Sequence, residues 1–297
     1  MIGKSIFIWS ISEIFGGDVT EIATELKTAG FQSVILHETN VFNWRSSKRI
    51  ALVEALKKVG IEPYGGAAVY GTNPAVEGQR AAAICKDYKL PGFVFDAEAA
   101  FDKASSPDSA AANLLRAFRK DAPEGTKAGW CWWAFFKSPT TGSTYHPKSI
   151  LWAAMEKGYG DADFGVPMMY WSWGDDASAA VKYLEASFAQ WRTITDKPIV
   201  PAGRAYIGDG GSPTDVALIA FEKRARELGA DGVTWWSMQH ALNVKVLPGI
   251  WKTLSGLKPF GDVSIPETPV EDPVVLTLEQ KVELLWEKHP ELHPTEA

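Results

Sequence analysis

Eight stretches typical of β-strands alternate with amphipathic helical stretches between residue 4 and about residue 257. The strand-like stretches are SIFIWSI, SVILHET, EPYGGAAVYG, GFVFDAE, KAGWCWWAFF, FGVPMMYWSW, IVPAGRAYIG and GVTWWSMQ. Eight strand–helix units in about 250 residues are typical of a (β/α)8 TIM barrel. An open doubly wound sheet is the alternative, but it normally carries a glycine-rich phosphate loop after its first strand. SISEIFGGD lacks that pattern, so we predict the closed barrel.

The helical stretches between the strands carry one apolar face. In PTDVALIAFEKRARELGADG, Leu218, Phe221, Ala225 and Leu228 recur at spacings of three and four residues. This spacing places them on one side of a helix, where they can pack against a sheet. DVTEIATELKTAG, SKRIALVEALKKVG and DSAAANLLRAFRKDAP are further predicted helices.

The sequence changes character after the barrel, which we predict to span residues 1–257. Residues 258–275, KPFGDVSIPETPVEDPVV, contain four prolines and predict an extended linker. Residues 276–297 begin with a capping box, Thr277 and Gln280, ahead of a short amphipathic helix. One apolar stripe of about 12 residues is too little for an independent fold. We therefore expect this C-terminal helix to dock on its own barrel or on a partner.

Composition and charge exclude several classes of partner. The net charge of −6 and the lack of a Lys/Arg cluster argue against a nucleic-acid partner. No run approaches the roughly 18 apolar residues of a membrane span. Two cysteines do not make a disulfide framework. The N-terminal stretch MIGKSIFIWSISEIFGGD shows no small-residue cleavage site, so it is interpreted as the first strand rather than a signal peptide.

Two carboxylates follow the apolar run of the fourth strand, GFVFDAEAAF. Asp96 and Glu98 stand two residues apart and would therefore point to the same face of the strand. In a TIM barrel this strand end borders the active site. Two close carboxylates with different protonation states are what glycoside hydrolysis requires. A solvated pair that caps nearby backbone amides is the alternative that the two residues alone leave open.

Thirteen tryptophans are the one unusual count in the composition, and many stand near predicted strand ends. A barrel interior is normally filled by branched aliphatic side chains. The flat faces of indole rings suit sugar rings, and polar side chains beside them can bind hydroxyl groups. We therefore predict a polysaccharide substrate, bound by six residues in addition to the acid pair: Trp132, Trp171, Trp173, Trp236, Glu38 and Gln239.

No metal or cofactor site is predicted. His37, Glu38, Asp209 and His240 are scattered over different strand ends, without an H-x-H or H-E-x-x-H spacing. The stretch GDGGS, residues 208–212, is interpreted as a glycine loop that borders the cleft rather than as a phosphate cradle.

Several of these motifs, taken in chain order, resemble those of glycoside hydrolase family 18, which contains chitinases and endo-N-acetylglucosaminidases. The family's strand-four motif D-x-x-D-x-D-x-E is similar to PGFVFDAE, which keeps Asp96 and Glu98. Its S-x-G-G is approached by PYGG, and its M-x-Y-D by MMYW, which keeps Tyr170 and has Trp171 in place of the Asp. The family's strand-eight tryptophan matches Trp236.

This resemblance implies a mechanism. Glu98 would protonate the glycosidic oxygen and then activate water, while Asp96 orients the acetamido group of the substrate, which acts as the nucleophile. Tyr170 would hydrogen-bond that group, and Trp236 would stack under the sugar. The outer Asp residues of the family motif are missing here, with Val94 at one of their positions. That loss leaves open a non-catalytic barrel that binds glycans or serves in an assembly.

Glycoside hydrolase family 25, the lysozyme-type muramidases, is a second resemblance because it also carries D-x-E at a fourth strand. FIWSIS has no counterpart of that family's first-strand Asp. From the first resemblance we expect a hydrolase of chitin-like or peptidoglycan polymers, such as a phage or bacterial endolysin. Such an enzyme would remain cytoplasmic until cell lysis released it.

Overall fold

A computed structural model describes residues 2–156 and 162–261. Eight parallel strands follow one another around a closed barrel, and the last pairs with the first. The predicted (β/α)8 TIM barrel is therefore confirmed. Its strands are β1 Gly3–Ile8, β2 Ser33–Leu36, β3 Glu62–Val69, β4 Gly92–Ala97, β5 Lys127–Trp133, β6 Phe164–Met169, β7 Ala202–Arg204 and β8 Gly232–Trp236.

Helices follow the strands and cover the outside of the barrel. They are α1 Val19–Thr28, α2 Ser47–Lys58, α3 Pro74–Tyr88, α4 Ala99–Asp102, α5 Pro107–Asp121, α6 Lys148–Met155, α7 Ala177–Arg192, α8 Asp215–Glu227, α9 Met238–Ala241 and α10 Ile250–Gly256. Three short 3-10 helices span Ile11–Glu13, Phe15–Gly17 and Val41–Asn43. The apolar face predicted for α8 is confirmed, since Leu218, Phe221 and Ala225 are fully buried.

The strands are apolar on both faces because each face packs against protein. Inward-facing side chains such as Phe7, Ile35 and Val166 fill the interior of the barrel. Outward-facing side chains, such as Ile6 and Leu36, pack against the surrounding helices in a second, larger core. The strand ends are therefore held rigidly, and the loops that leave them are positioned by the barrel.

A buried lysine joins strand β1 to the end of helix α10. Lys4 is 2% exposed, and its Nζ donates hydrogen bonds of 2.6 Å to the carbonyl oxygens of Ala29 and Leu257. Burial lowers the pKa of Lys4 to about 8. The two carbonyl groups lie at the ends of α1 and α10, whose last carbonyls have no partner within the helix. Lys4 therefore satisfies both helix ends at once.

The compact barrel unit ends at Gly261. The backbone N–H of Phe260 donates to the side chain of Gln32 at 2.8 Å, and the Arg226 guanidinium lies 3.8 Å from the centre of the Phe260 ring. Phe260, which falls in the predicted linker, thus packs on the barrel. The rest of the linker and the predicted C-terminal helix lie outside the described residues. No helix within the described part of the chain is long and apolar enough to cross a bilayer.

Candidate active site

A cleft of about 600 Å3 opens at the C-terminal ends of the strands. Barrel enzymes place their active sites at this end. A hollow of about 770 Å3 lies at the opposite end, around the starts of β3 and β5, where active sites of this fold are not found. The cleft is lined by carboxylates, phenols, indoles and a few other side chains: Asp96, Glu98, Trp133, Ala134, Phe135, Tyr145, His146, Met168, Tyr170, Ser172, Tyr183, Tyr206, Asp209 and Trp236.

Strand β4 delivers the acid pair to the cleft. Phe93 and Phe95 point outward into the core between strands and helices, whereas Val94 points into the barrel. The same alternation turns Asp96 inward, and Glu98 follows directly after the strand ends. Both carboxylates line the cleft. The structure therefore places the two acids together, as their spacing predicted.

The two carboxylates lie in different surroundings. Glu98 is exposed at the cleft surface, yet partial burial by the concave wall raises its pKa to about 7. The negative charges of Asp96, Asp209 and Asp102 raise this pKa further. Asp96 is 5% exposed and accepts a hydrogen bond of 2.9 Å from Nε2 of His37. Glu98 can therefore hold a proton near neutral pH, which is what a general acid requires.

Tyr170 and Trp236 line the same cleft as the acid pair. Burial raises the pKa of Tyr170 well above its ordinary value, and the charge of Asp96 adds to this effect, so the phenol stays a neutral hydrogen-bond donor. The Trp236 ring lies 5.1 Å from Phe7, centroid to centroid, at the top of the barrel interior. The peptide bond between Trp236 and Ser237 is cis. Four predicted site residues are thus brought together.

Trp132 does not line the cleft. Strand β5 alternates, so Cys131 belongs to the barrel interior and Trp133 reaches the cleft, while Trp132 packs outward and is fully buried. Its Nε1 lies 3.3 Å from Oδ1 of Asp102. The predicted sugar contact of Trp132 is therefore wrong, because no face of its ring is available to a ligand.

Trp171 and Trp173 follow β6, which ends at Met169, so the alternation of the strand no longer orients them. Trp171 is fully buried against Phe221 of α8, with 5.2 Å between ring centroids, and its predicted sugar contact is also wrong. Trp173 is 46% exposed and stacks at 5.7 Å on Phe135, a residue of the cleft wall. Trp173 is thus half-exposed beside a residue of the cleft wall, and its predicted sugar contact stays a prediction.

Glu38 and Gln239 are also outside the lining of the cleft. Glu38 forms an ion pair with Arg49 at 2.9 Å, so its carboxylate already has a cationic partner. Gln239 is 7% exposed, and neither polar atom of its amide has a hydrogen-bond partner among the described residues. The predicted contact of these two side chains with sugar hydroxyl groups stays a prediction.

The loop after β7 contributes a carboxylate to the cleft that the sequence did not single out for sugar chemistry. Asp209 accepts a hydrogen bond from the hydroxyl group of Tyr206, and both residues line the cleft. The fully buried Arg204 fixes this loop by donating to the carbonyl oxygens of Gly211 at 2.9 Å and Tyr170 at 3.0 Å. The stretch GDGGS does border the cleft, as predicted.

A fourth acid, Asp102, organises the wall formed by β5 and its loop. Oδ2 of Asp102 lies 2.6 Å from Nδ1 of His146 and accepts a hydrogen bond of 3.0 Å from Nε1 of Trp133. The His146 and Trp133 rings stack with 4.6 Å between centroids and 12° between planes. The Trp-Trp pair in the sequence indicated aromatic residues here, but nothing in the sequence indicated that His146 joins them.

The chemistry that this cleft can perform is proton transfer beside flat apolar rings. Glu98 can give or take a proton, Tyr170 can donate a hydrogen bond, and the rings of Trp133 and Trp236 can contact the apolar face of a sugar. Among residues 2–156 and 162–261, no group of three His, Cys, Asp or Glu side chains is placed to hold a metal ion.

No protein-family profile matches the chain, and no curated protein matches it. Solved structures do match. A family 18 chitinase from Pseudoalteromonas aurantia has a TM-score of 0.61 at 11% identity, covering 85% of this chain and 98% of the chitinase. The spore cortex-lytic enzyme SleL of Bacillus megaterium has a TM-score of 0.57 at 11% identity, covering 84% of this chain and 72% of SleL. A chitinase-like agglutinin from Robinia pseudoacacia has a TM-score of 0.59 at 11% identity, covering 85% and 98%.

At identities this low the likeness shows a shared fold. The chain has the barrel found in family 18 chitinases and related glycoside hydrolases, in agreement with the resemblance seen in its motifs. The resemblance to family 25 remains a prediction.

Proposed function

We propose that this chain is a glycoside hydrolase that cleaves polymers of N-acetylated amino sugars, of the chitin or peptidoglycan type. The observation that carries the proposal is geometric: Glu98 stands in an open cleft beside a second carboxylate and aromatic rings. The pKa of Glu98, raised to about 7 by burial and by neighbouring carboxylates, supports its role as proton donor. Asp96, Tyr170 and Trp236 line the same cleft, which supports a sugar bound against an aromatic ring with carboxylates beside it.

In the proposed reaction Glu98 gives its proton to the glycosidic oxygen as the bond from that oxygen to the anomeric carbon breaks. The acetamido oxygen of the substrate forms a bond to the anomeric carbon, and Asp96 stabilises the positive charge that develops on the acetamido nitrogen. Water then attacks the anomeric carbon, the acetamido oxygen leaves, and Glu98 takes the proton from water. Tyr170 holds the acetamido group, and Trp236 supports the sugar ring.

Proteins of the same fold support this choice of substrate. One is a chitinase and another is a spore cortex-lytic enzyme. The volume of the cleft, about 600 Å3, agrees with a sugar ligand because it lies within the range of small-molecule sites. The presence of aromatic rings on two separate strands, Trp133 on β5 and Trp236 on β8, agrees with a substrate held between two walls.

The second candidate function is glycan binding without hydrolysis. One observation favours it: His37 already holds one oxygen of the buried Asp96, which leaves only the other oxygen for the substrate contact that the proposed reaction needs. A chitinase-like agglutinin has the same fold. In this second function the aromatic walls would hold a glycan while Glu98 remained idle.

The deciding experiment compares wild type with Glu98→Gln on chitin oligomers and on peptidoglycan, by reducing-end release and by turbidity. The matched control is Glu62→Gln, the same substitution at the opposite end of the barrel. We expect Glu98→Gln to lose about a hundredfold or more in rate while Glu62→Gln keeps wild-type activity. Equal release by wild type and Glu98→Gln would refute the hydrolase. Glycan binding with no release by any of the three proteins would establish the second function.

A further inference from the structure

A buried histidine and the inner carboxylate of the acid pair form a bond that crosses the barrel interior. Nε2 of His37 lies 2.9 Å from Oδ2 of Asp96, and each residue is 5% exposed. His37 follows β2, whereas Asp96 belongs to β4, and β3 lies between these strands. The side chain of His37 must therefore pass in front of β3 to reach its partner. An ionised carboxylate only accepts hydrogen bonds, so His37 is the donor.

Small residues on β3 leave room for this crossing. Ala68 is the register partner of Asp96 and faces the same way, and Gly66 stands two residues before it. A Cβ atom at Gly66 would lie 2.7 Å from the Ile35 side chain and 3.7 Å from Cδ2 of His37. Glycine at position 66 of PYGG therefore has a physical reason in this chain: a side chain there would collide with Ile35, the inward-facing residue two positions before His37.

His37 is held in place on every side. Its backbone N–H donates to the carbonyl oxygen of Ile8 at 2.8 Å, and its own carbonyl oxygen accepts from Arg49 at 3.3 Å. The edge of the imidazole meets the Trp236 ring at 5.3 Å and 87°, and Phe7 packs 6.0 Å away. These contacts hold the imidazole in its position independently of its hydrogen bond to Asp96.

We propose that His37 is a positioning residue that holds Asp96 by one oxygen and presents the other oxygen to the cleft. Oδ1 of Asp96 has no hydrogen-bond partner among the described residues, although it is buried. Such an atom is costly unless something binds it, and the residue that carries it lines the cleft. In the proposed hydrolase, on which this inference rests, Oδ1 is the oxygen that meets the substrate.

The bond also bears on the charge of the acid pair. Several titratable groups lie around Asp96: Glu98 beside it, and Cys131 and Tyr170, whose pKa values rise from burial first and then partly from the charge of Asp96. The Cys131 thiol also interacts with Asp96 as a weak hydrogen-bond donor, which raises the pKa of the thiol further. On the other side, Arg49 donates to the backbone carbonyl of His37 and forms its ion pair with Glu38. Its charge is therefore paired with Glu38 rather than with Asp96 or Glu98. His37 is thus the group on the barrel side that stabilises a negative Asp96. Without it the doubly ionised pair is less stable, and both titration steps of the pair should move to higher pH.

The test follows the carboxyl carbons of Asp96 and Glu98 by 13C NMR during a pH titration, with signals assigned from Asp96→Asn and Glu98→Gln. This measurement needs no substrate, so it can succeed or fail independently of the proposed hydrolase. In His37→Leu we expect the titration steps to rise by about one pH unit. In His37→Gln, whose amide can still donate to Asp96, at least half of that change should be reversed. A matched control, His240→Gln, removes a histidine that bonds Ser237 instead of a carboxylate and should change neither step.

Kinetics on the active protein give the second measurement. His37→Leu should lower kcat by about tenfold or more with KM nearly unchanged, and His37→Gln should recover part of the loss. Should His37→Leu fail to fold, His37→Asn is too short to reach Asp96 and tests the same loss. Titration steps that stay within about 0.2 pH units of wild type in a folded His37→Leu or His37→Asn protein would overturn the proposal.

Discussion

Replacing Glu98 by glutamine is expected to stabilise the folded protein at high pH. The pKa of Glu98 is raised from 4.5 to about 7 in the folded state, so folding favours the protonated carboxyl. Below pH 4.5 Glu98 is protonated in both the folded and the unfolded protein, and the substitution should have little effect on stability. As pH rises to about 7, the unfolded chain ionises first, and the wild type loses stability that the glutamine variant keeps.

The size of the effect follows from the raised pKa. At about 1.4 kcal/mol per pH unit, the full change corresponds to at most about 3 kcal/mol. Glu98 is exposed at the cleft surface, so solvent screens its charge and reduces this figure to about 1–2 kcal/mol. In a domain of this size that gain raises Tm by about 2–4 °C above pH 8.

The assay is urea unfolding followed by the fluorescence of the 13 tryptophans, at about pH 4, 7 and 9. The free energy of unfolding of Glu98→Gln should equal that of wild type at about pH 4 and exceed it at about pH 9. Glu62→Gln controls for the loss of one carboxylate at a strand start. A stability difference that is the same at all three pH values would refute the conclusion that Glu98 is ionised with difficulty in the cleft.

Two further substitutions test the packing around the site. Gly78→Ala should cost about 2 kcal/mol or more in urea unfolding, because its Cβ would lie 2.1 Å from the carbonyl oxygen of Leu114 in α5. Gly256→Ala, with nothing within 4 Å, should be neutral or slightly stabilising, and an equal loss in both variants would contradict the contact. Arg204→Leu should cost about 2–3 kcal/mol, because the carbonyl groups of the loop after β7 lose their donor. The exposed Arg45→Leu should cost under about 1 kcal/mol; a similar cost for both arginines would show that the loop does not depend on Arg204.

The barrel could be predicted from the sequence because its strands and helices alternate in a pattern that few folds share. All eight predicted strands are present. The acid pair could be predicted for a related reason, since residues two apart on a strand share a face, and Asp96 and Glu98 do line one cleft.

The directions of the tryptophan side chains could not be predicted. Parallel strands in a barrel are apolar on both faces, so the sequence of β5 does not reveal whether Trp132 or Trp133 points inward. Predicted strand β6 was also longer than the real one, and beyond Met169 the chain turns and buries Trp171. The direction of a side chain at this point depends on the residue at which the strand ends. The ends of strands and helices are the features that a sequence pattern defines least well.

Loop residues were missed for a different reason. Asp209 reaches the cleft because Arg204 binds a carbonyl group of its loop after β7. His146 reaches the cleft because Asp102 binds its imidazole ring. His37 reaches Asp96 only because β3 carries small residues between them. Contacts of this kind join separate strands and loops, and no local spacing in the sequence encodes them.

The hydrogen bonds that Lys4 donates to Ala29 and Leu257 also affect how the chain can fold during synthesis. Its two strongest acceptors are 25 and 253 residues away along the chain. At the usual rate of translation, about 10–50 s separate the synthesis of Lys4 from that of Leu257. Throughout that interval the first strand lacks its neighbour β8, and the lysine lacks one of its carbonyl partners. The N-terminal strand must therefore wait with one edge unpaired, and the barrel can close only after β8 has been synthesised and pairs with β1.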